Sequence, residues 1–233
     1  MQKTVYVESI DKNIVISRRK GTRSIRISVK SDGRIQLSIP YSVSERQAVK
    51  FLEQKSEWID KHHKPQHILE NGMHIGKSNK IVILKASAEK IKTRLKTNEI
   101  VVSVPENMTV TDIEVQNTIR KACERALKKE AETLLPQRLE VIARENSIYY
   151  RSCSIKKLKS RWGSCDTHQN IVLNMYLTQL DWQLIDYVIF HELAHTKHKH
   201  HQKEFWDYLE YLLPDYKERR KEIKTKATDI FPT

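Results

Sequence analysis

Cysteine, glycine and long apolar runs are all scarce in this chain, and each scarcity argues against a class of protein. Three cysteines occur among 233 residues, at the widely separated positions Cys123, Cys153 and Cys165. This odd count argues against a disulfide framework and predicts a reducing, cytoplasmic setting. Five glycines and six prolines argue against long flexible linkers. No apolar run approaches the ~18 residues that cross a bilayer, and the first residues lack the apolar core of a signal peptide.

Positive charge, by contrast, is abundant. The chain has 42 lysine and arginine residues against 29 acidic ones, which gives a net charge of +13. A charge of this size favours contact with polyanions such as nucleic acid or acidic protein segments. A solvated, lysine-rich surface explains the same composition, so the charge alone identifies no partner.

The first third of the chain has the alternation of β-branched and polar residues that is typical of strands. Asp32-Gly33 lies between two such runs and predicts a hairpin, because a type I′ turn needs residues that tolerate positive φ. Ser44 followed by Gln47 resembles a capping box and predicts a helix that extends to about His62. The predicted strand runs are 14–21, 24–33 and 34–40.

The same order of features recurs further along the chain. The strand runs 80–86, 91–97 and 99–105 end in a proline and precede Thr111–Glu114, which resembles a second capping box. It predicts a helix that reaches about Leu135. The recurrence suggests a degenerate internal repeat, although hairpin-then-helix units also recur by coincidence in α+β proteins.

The rest of the chain predicts a more helical part. Pro136 suits the first turn of a new helix over about 137–147. Two strand runs follow, 154–165 and 170–178, with the turn between them at Asp166–Gln169. From Asp181, a plausible N-cap, apolar residues recur at helical spacing, and further helices are expected over 202–213 and, after Pro214, up to 226.

These patterns predict an α+β fold in two parts. Residues 1–136 form a β-rich region of hairpin-helix units, read as two ββα-like repeats if the recurrence is a true duplication. Residues 137–233 form a compact catalytic domain around the helix that begins near Asp181.

His191-Glu192-Leu193-Ala194-His195 is an HExxH sequence on that helix. Residues four apart lie on one helix face, so both imidazoles can reach a single ion at about 2.0–2.1 Å, the zinc–nitrogen distance. Glu192 lies beside them, where its carboxylate can take a proton from water. The sequence therefore predicts a zinc-dependent metallopeptidase with Glu192 as its general base. A solvated histidine cluster or an adventitious metal tract is the alternative, because His198, His200 and His201 follow closely.

A catalytic zinc usually has three protein ligands and one open position. His198 lies seven residues after His191, which is about 10 Å along an unbroken helix and too far to share the ion easily. His201 matches the last histidine of the H-E-x-x-H-x-x-G-x-x-H pattern, but His198 occupies the glycine position, so the turn must form without glycine. Glu204 and Glu210 stay open as third ligands, and we favour His201.

Several short motifs follow one another in the carboxy-terminal part: Ser160–Cys165, Ile171–Asn174, Tyr187–His195, His201 and Phe205-Trp206. Together they resemble the motifs of the YgjP-like zinc metallopeptidases, bacterial relatives of the SprT-like and WLM peptidases. The resemblance extends over nearly the whole chain, including the arginine-rich hairpin and the Trp58 helix. It implies a zincin-like fold, peptidase activity and a histidine ligand at His201, although the family commonly has asparagine where this chain has His200.

Other residues near these motifs have weaker candidate roles. The strand through Arg161–Gly163 or the strand through 171–174 could border the cleft and pair with an extended peptide, but a packed hairpin with a close-approach glycine explains the first motif equally. Cys165 is expected to be structural, and the basic residues from Arg18 to Arg26 to be a solvated hairpin face rather than a phosphate contact. Packing or surface roles are likewise favoured over oxyanion stabilisation for Tyr208, Tyr211 and Tyr216.

Two further functions stay open beside the peptidase. One is a non-catalytic metal- and nucleic-acid-binding protein, against which the intact Glu192 counts, since a pure metal site does not need that carboxylate. The other is a DNA-associated, SprT-like protease, which salt-dependent DNA binding would favour. The expected partner is a protein or peptide substrate, and the expected ion is Zn²⁺, although nickel or cobalt also suits the ligands.

Overall fold

The computed structural model describes residues 2–10, 12–18, 20–29, 35–62 and 67–226, in two compact units, Met1–His67 and Ile68–Thr233. The chain is a mixed α+β protein in which β-sheets dominate the amino-terminal part and helices the carboxy-terminal part, which confirms the predicted fold class. No helix among the described residues is long and apolar enough to span a membrane.

The first unit contains a four-stranded sheet in the order β1-β2-β4-β3. β2 and β4 are parallel, and the other neighbours are antiparallel. Strands β3 and β4 pair as the sequence predicted, while the predicted turn at Asp32-Gly33 lies outside the described residues. A 3-10 helix, Glu8–Ile10, connects β1 to β2. The strands are β1 Gln2–Val7, β2 Lys12–Arg18, β3 Arg26–Val29 and β4 Ile35–Ile39.

Two helices follow this sheet, α1 at Glu45–Glu53 and α2 at Ser56–His62. The predicted capping box is present: the Gln47 N–H donates to Ser44 Oγ at 3.2 Å, and the Ser44 N–H donates to Gln47 Oε1 at 3.0 Å. These bonds satisfy donors that a helix start leaves free. The core of the unit is aliphatic and includes Ile14, Ile35, Leu37, Ile39, Leu52 and Ile59.

A second four-stranded sheet opens the second unit, in the order β5-β6-β8-β7. β6 and β8 are parallel and the other neighbours antiparallel, so this sheet repeats the topology of the first one. The shared topology favours an internal repeat, which stays a prediction. The strands are β5 His74–Ile75, β6 Asn79–Ala86, β7 Lys92–Lys96 and β8 Glu99–Pro105.

One long helix, α3 at Ile113–Glu145, replaces the two helices that were predicted on either side of Pro136. A proline inside a helix removes one hydrogen bond and costs about 3 kcal/mol. The helix nevertheless continues, because Leu135 and Leu139 on both sides of the proline are fully buried in the core. The predicted boundary between residues 136 and 137 falls inside this helix. Along the chain, the boundary between the two compact units lies instead between His67 and Ile68.

The second predicted capping box is wrong. Asp112, not Thr111, is the N-cap of α3, and its side chain makes no capping hydrogen bond to the helix. Its carboxylate instead accepts hydrogen bonds from the Thr109 N–H at 2.9 Å and the Thr109 hydroxyl at 2.7 Å. This local turn competes with the capping geometry, as short polar side chains often do.

A three-stranded sheet, in the order β10-β11-β9, precedes the helix that carries the candidate site. β9 (Ser152–Lys156) is parallel to β11 (Asn170–Asn174), and β10 (Gly163–Cys165) is antiparallel to it. The run predicted as one strand over 154–165 is therefore two strands. The last residues of the second predicted run, 175–178, belong to a 3-10 helix, Met175–Gln179. The Asn174 side chain caps this helix by accepting the Tyr176 N–H at 3.2 Å.

The remaining elements are α4 (Trp182–Lys197), α5 (Lys203–Leu212) and α6 (Tyr216–Ile223). Asp181 is the N-cap of α4, as predicted. These helices share a hydrophobic core with α3 and with the second and third sheets.

Candidate metal centre and cleft

Helix α4 carries the HExxH sequence and is held in place by burial and by an ion pair. Leu184, Ile185 and Ile189 on its apolar face are at most 1% exposed. Asp186 accepts two hydrogen bonds from the Arg138 guanidinium of α3, at 2.7 and 2.6 Å, which ties the two helices together. Side chains on the open face of α4 therefore have rigid support.

The chain turns back after α4 without a glycine. His198 ends the helix with an extended backbone, φ −119° and ψ 105°, while its N–H still donates to the Ala194 carbonyl at 2.9 Å. The indole N–H of Trp206 on α5 then donates to the His201 carbonyl at 3.1 Å. These contacts hold His201 against the open face of α4.

The imidazoles of His191, His195 and His201 converge on one point. Nε2 of His201 lies 3.0 Å from Nε2 of His191 and 3.1 Å from Nε2 of His195. Nitrogens bound to one tetrahedral zinc would lie about 3.3 Å apart, so this donor set fits a single ion. In the part of the chain that the structure describes, no other group of three or more histidine, cysteine or acidic side chains could share an ion, and the alternative ligands Glu204 and Glu210 lie outside the trio.

Neighbouring groups orient these rings. Nδ1 of His195 lies 3.0 Å from the His198 carbonyl oxygen, so Nδ1 carries the proton and Nε2 keeps its lone pair. Phe205 is fully buried and packs against all three rings, with centroid separations of 4.5 to 5.0 Å. Trp206 stacks on His201 at 5.5 Å.

Burial also keeps the imidazoles neutral. Burial, with a smaller contribution from the neighbouring rings, lowers the pKa of His191 to about 3. Burial is likewise the main cause that lowers the pKa of His195 and of His201. The neutral imidazole is the form that binds a metal ion, so the trio has the ligand form at neutral pH.

Glu192 is buried beside the trio, with 5% of its surface exposed. Burial raises the pKa of its carboxyl to about 8, and the Arg161 guanidinium opposes that shift. Its Oε2 atom has no hydrogen-bond partner among the described residues. A buried carboxyl oxygen without a partner is rare in folded proteins, so Oε2 is a candidate for contact with a bound molecule.

Gly163 on β10 gives Glu192 the space that it occupies. A Cβ atom at Gly163 would lie 2.7 Å from Glu192 Oε1, 2.8 Å from Cγ and 2.9 Å from Cδ. Only glycine allows the strand to lie this close to the carboxylate. The close-approach glycine that the sequence offered as one explanation of the Ser160–Cys165 motif is therefore present.

The open face of α4 and strand β10 border a cleft of about 440 Å³. β10 pairs with β11 on one side and is the edge strand of its sheet, whereas β11 is central. Of the two strands that the sequence offered as the cleft edge, the structure therefore has β10 in that position. The residues that line the cleft are Arg161, Trp162, Gly163, Ser164, Cys165, Tyr187, Val188, His191, Glu192, His195, Lys199, His201 and Ile223.

Asn174 shapes the segment that leads into β10. Its amide N–H₂ group donates to the carbonyls of Leu158 and Arg161, each at 3.0 Å, and its backbone N–H donates to the Trp162 carbonyl at 2.8 Å. The side chain is fully buried. One asparagine thus fixes the backbone that positions Arg161 at the rim of the cleft.

The weaker candidates have structural surroundings. None of the three tyrosines considered from the sequence is among the described residues that line the cleft: Tyr208 lies beside Lys197, Tyr211 is 80% exposed, and Tyr216 stacks on Trp206. Cys165 does line the cleft, but burial raises the pKa of its thiol to about 11, which disfavours the nucleophilic thiolate.

Tyr187 and Lys199 are among the cleft residues that were not predicted from the sequence. Tyr187 was predicted only as a member of the Tyr187–His195 motif, and no role was predicted for Lys199. Tyr187 lies four residues before His191, so the helical repeat places it on the open face and was the available signal. No sequence signal places Lys199 beside β10, because that contact joins segments far apart in the chain.

Comparison with known protein families identifies the class of protein, a metallopeptidase. The YgjP-like metallopeptidase domain matches residues 23–226, and the chain belongs to this family. It is therefore a peptidase that depends on a metal ion. A comparison with curated proteins gives no match.

Two solved structures are similar to part of the chain. One is the metallopeptidase zymogen of Pyrococcus abyssi abylysin, at 24% identity over 40% of this chain and 93% of that one, with a TM-score of 0.36. The other is the metallopeptidase zymogen of Methanocaldococcus jannaschii jannalysin, at 24% identity over 39% of this chain and 94% of that one, with a TM-score of 0.35.

Proposed function

We propose that the protein is a zinc-dependent peptidase that hydrolyses peptide bonds in protein or peptide substrates. His191, His195 and His201 would hold the zinc ion, and Glu192 would act as general base. The observation that carries this proposal is the convergence of three Nε2 atoms at 3.0–3.1 Å next to a buried carboxylate. Nickel and cobalt suit the same nitrogen donors, and metal analysis distinguishes them.

When bound, zinc would polarise the scissile carbonyl and make water a stronger acid. Glu192 Oε2, which has no partner among the described residues, would accept the proton of the attacking water and pass it to the leaving amine. Gly163 keeps the carboxylate in place from the opposite wall, and a positioned base of this kind contributes about 10²–10⁴-fold to the rate.

The edge strand β10 supports a mode of substrate binding. An extended peptide can add to an exposed sheet edge, where main-chain hydrogen bonds hold it and pockets select its side chains. Because β10 lies beside Glu192, a peptide paired with it would pass the carboxylate and the three imidazoles.

The test combines metal content with proteolysis. We expect about one zinc ion per chain, retained in Glu192→Gln and reduced in His201→Ala, with cleavage of an unfolded protein lost in both variants. A protein that fails to bind zinc selectively would refute the proposal. Zinc without cleavage by the wild type would leave the non-catalytic metal-binding alternative.

A DNA-associated protease is the second candidate function, favoured by one cavity of the first unit. This cavity, of about 390 Å³, is lined by Lys20, Arg23 and Arg26 with several hydroxyl groups, and no acidic residue is among its described lining residues. Such a site suits phosphate groups. DNA binding that weakens steeply with salt, and cleavage that DNA stimulates, would support this function.

The cytoplasmic location also stays a prediction, which fractionation of cells would test.

A further inference from the structure

Two cations lie at opposite ends of the strand that borders the cleft. Arg161 precedes the first residue of β10 by two positions, and Asn174 fixes its backbone. At the other end, the Lys199 ammonium donates to the carbonyl of Asp166, the residue that follows β10, at 3.1 Å. Both side chains line the cleft, and Gly163 between them is the residue that faces Glu192.

Neither cation forms an ion pair with an acidic side chain of the described residues. Among the described residues, no ion pair involves Arg161 or Lys199, and Glu192 is the single acidic side chain in the described lining of the cleft. The carboxylate of Asp166 is directed to its own turn, where it accepts the N–H groups of His168 and Asn170 at 2.9 Å. The positive charge at both ends is therefore available to a ligand.

We infer that the cleft selects peptides with acidic side chains on both sides of the scissile bond. Arg161 precedes Gly163 by two residues, and Asp166, whose carbonyl accepts from Lys199, follows Gly163 by three. A peptide paired with β10, with its scissile bond at Glu192, would meet one cation two to three residues away on each side. This inference names the substrate class of the proposed peptidase and rests on that proposed function.

The size of the effect follows from the exposure of the two cations. Both Arg161 and Lys199 are exposed, so each matched acidic side chain is expected to improve binding about fivefold, as surface ion pairs do. Added salt should weaken the preference, because the screening length between exposed charges falls from about 10 Å at 0.1 M ionic strength to about 3 Å at 1 M.

The experiment uses zinc-loaded full-length enzyme and four fluorescent peptides with the same apolar centre. The first peptide has aspartate at the second and third positions on both sides of the centre. The second and third peptides have aspartate on the amino-terminal side only and on the carboxy-terminal side only, with serine on the other side. The fourth has serine at all these positions. We expect kcat/KM to rise about fivefold for each acidic side. Lysine in place of aspartate should lower it below the serine peptide.

Charge reversals separate the two ends. Arg161→Glu should remove the preference on one side of the peptide only, and Lys199→Glu on the other side only. Comparing peptides within each variant cancels any uniform change in Glu192. The matched control is Lys203→Glu, an exposed residue of α5 outside the described cleft lining, which should leave the preference unchanged.

Peptide binding to the Glu192→Gln variant measures the charge preference without hydrolysis. It therefore tests the preference for acidic peptides separately from the peptidase function. Fluorescence anisotropy should give tighter binding of the doubly acidic peptide than of the serine peptide, with the same response to the two reversals. Equal affinity and equal kcat/KM for acidic, serine and lysine peptides would overturn the inference, as would reversals that affect both sides alike. Cleavage of the serine peptide that needs zinc and Glu192 would then still support the peptidase.

Discussion

Substitution of Gly163 by alanine tests whether β10 packs directly against Glu192, the proposed general base. The added Cβ would lie 2.7–2.9 Å from three atoms of the Glu192 side chain, closer than packed atoms approach. Overpacking of this kind costs about 1–3 kcal/mol of the free energy of unfolding. The backbone of Gly163 is not in the left-handed region, so alanine brings no strain of its own.

A double-mutant cycle isolates this contact. Glu192→Ala removes all three atoms that the new Cβ would meet, so Gly163→Ala should be neutral in that background, or stabilising by up to about 1 kcal/mol through the unfolded chain. Urea unfolding of the four proteins, with zinc present throughout, gives the coupling free energy. An equal cost of Gly163→Ala in both backgrounds would show that the alanine disturbs something other than Glu192.

The same substitution should separate catalysis from metal binding. Displacement of a catalytic group by about 1 Å lowers the rate about 100-fold, so kcat should fall by that order while zinc content stays at one ion per chain. Metal analysis and peptide hydrolysis on the same samples measure both. Unchanged kcat would contradict the assignment of Glu192 as general base in this geometry.

Three further predictions concern the framework and the ion. Glu130 is buried and accepts hydrogen bonds from the N–H groups of Lys77 and Ser78. Glu130→Ala should therefore lower the free energy of unfolding by about 3 kcal/mol in urea unfolding, and a loss below about 1 kcal/mol would refute this role. Asn174→Ala leaves two carbonyls before β10 without their donor and should raise KM more than it lowers kcat, with zinc content unchanged. Removal of the metal with a chelator should lower the melting temperature, because the ion binds only the folded chain. Zinc at about 1,000 times its Kd should then restore about 4 kcal/mol of the free energy of unfolding. A melting temperature that does not change with zinc would contradict binding by the folded state.

The helical spacing of the HExxH sequence was the most informative pattern in the chain. It placed His191 and His195 on one face of α4 from local geometry alone, because i and i+4 residues always share a face. The position of His201 followed from the same arithmetic with one added assumption, a turn without glycine, which the structure shows at His198.

The wrong predictions for the start and the length of α3 share one cause: other contacts of the same segments outweigh the predicted local ones. Thr111 matched a capping box, but the carboxylate of Asp112 bonds to Thr109 instead. Pro136 predicted a helix boundary, but burial of the neighbouring leucines outweighs the lost hydrogen bond. Local sequence gives the options that a segment has, and contacts with distant segments decide among them.

The residues around the cleft show the same limit. Gly163 and Glu192 are 29 positions apart, and nothing in either motif indicates that they touch. Lys199 and Asp166 are 33 positions apart, and their contact depends on how β10 lies against α4. Only the assembled structure could reveal these pairs.

All three histidines of the trio come from eleven consecutive residues, 191–201, whereas the strand that borders the cleft comes from an earlier stretch of the chain. The ion ligands and the strand proposed to hold the peptide are thus encoded in separate segments. A descendant that lost the edge strand could keep the metal ion and use it for another reaction. One that changed only the strand could alter its substrate specificity while it keeps the same ion ligands.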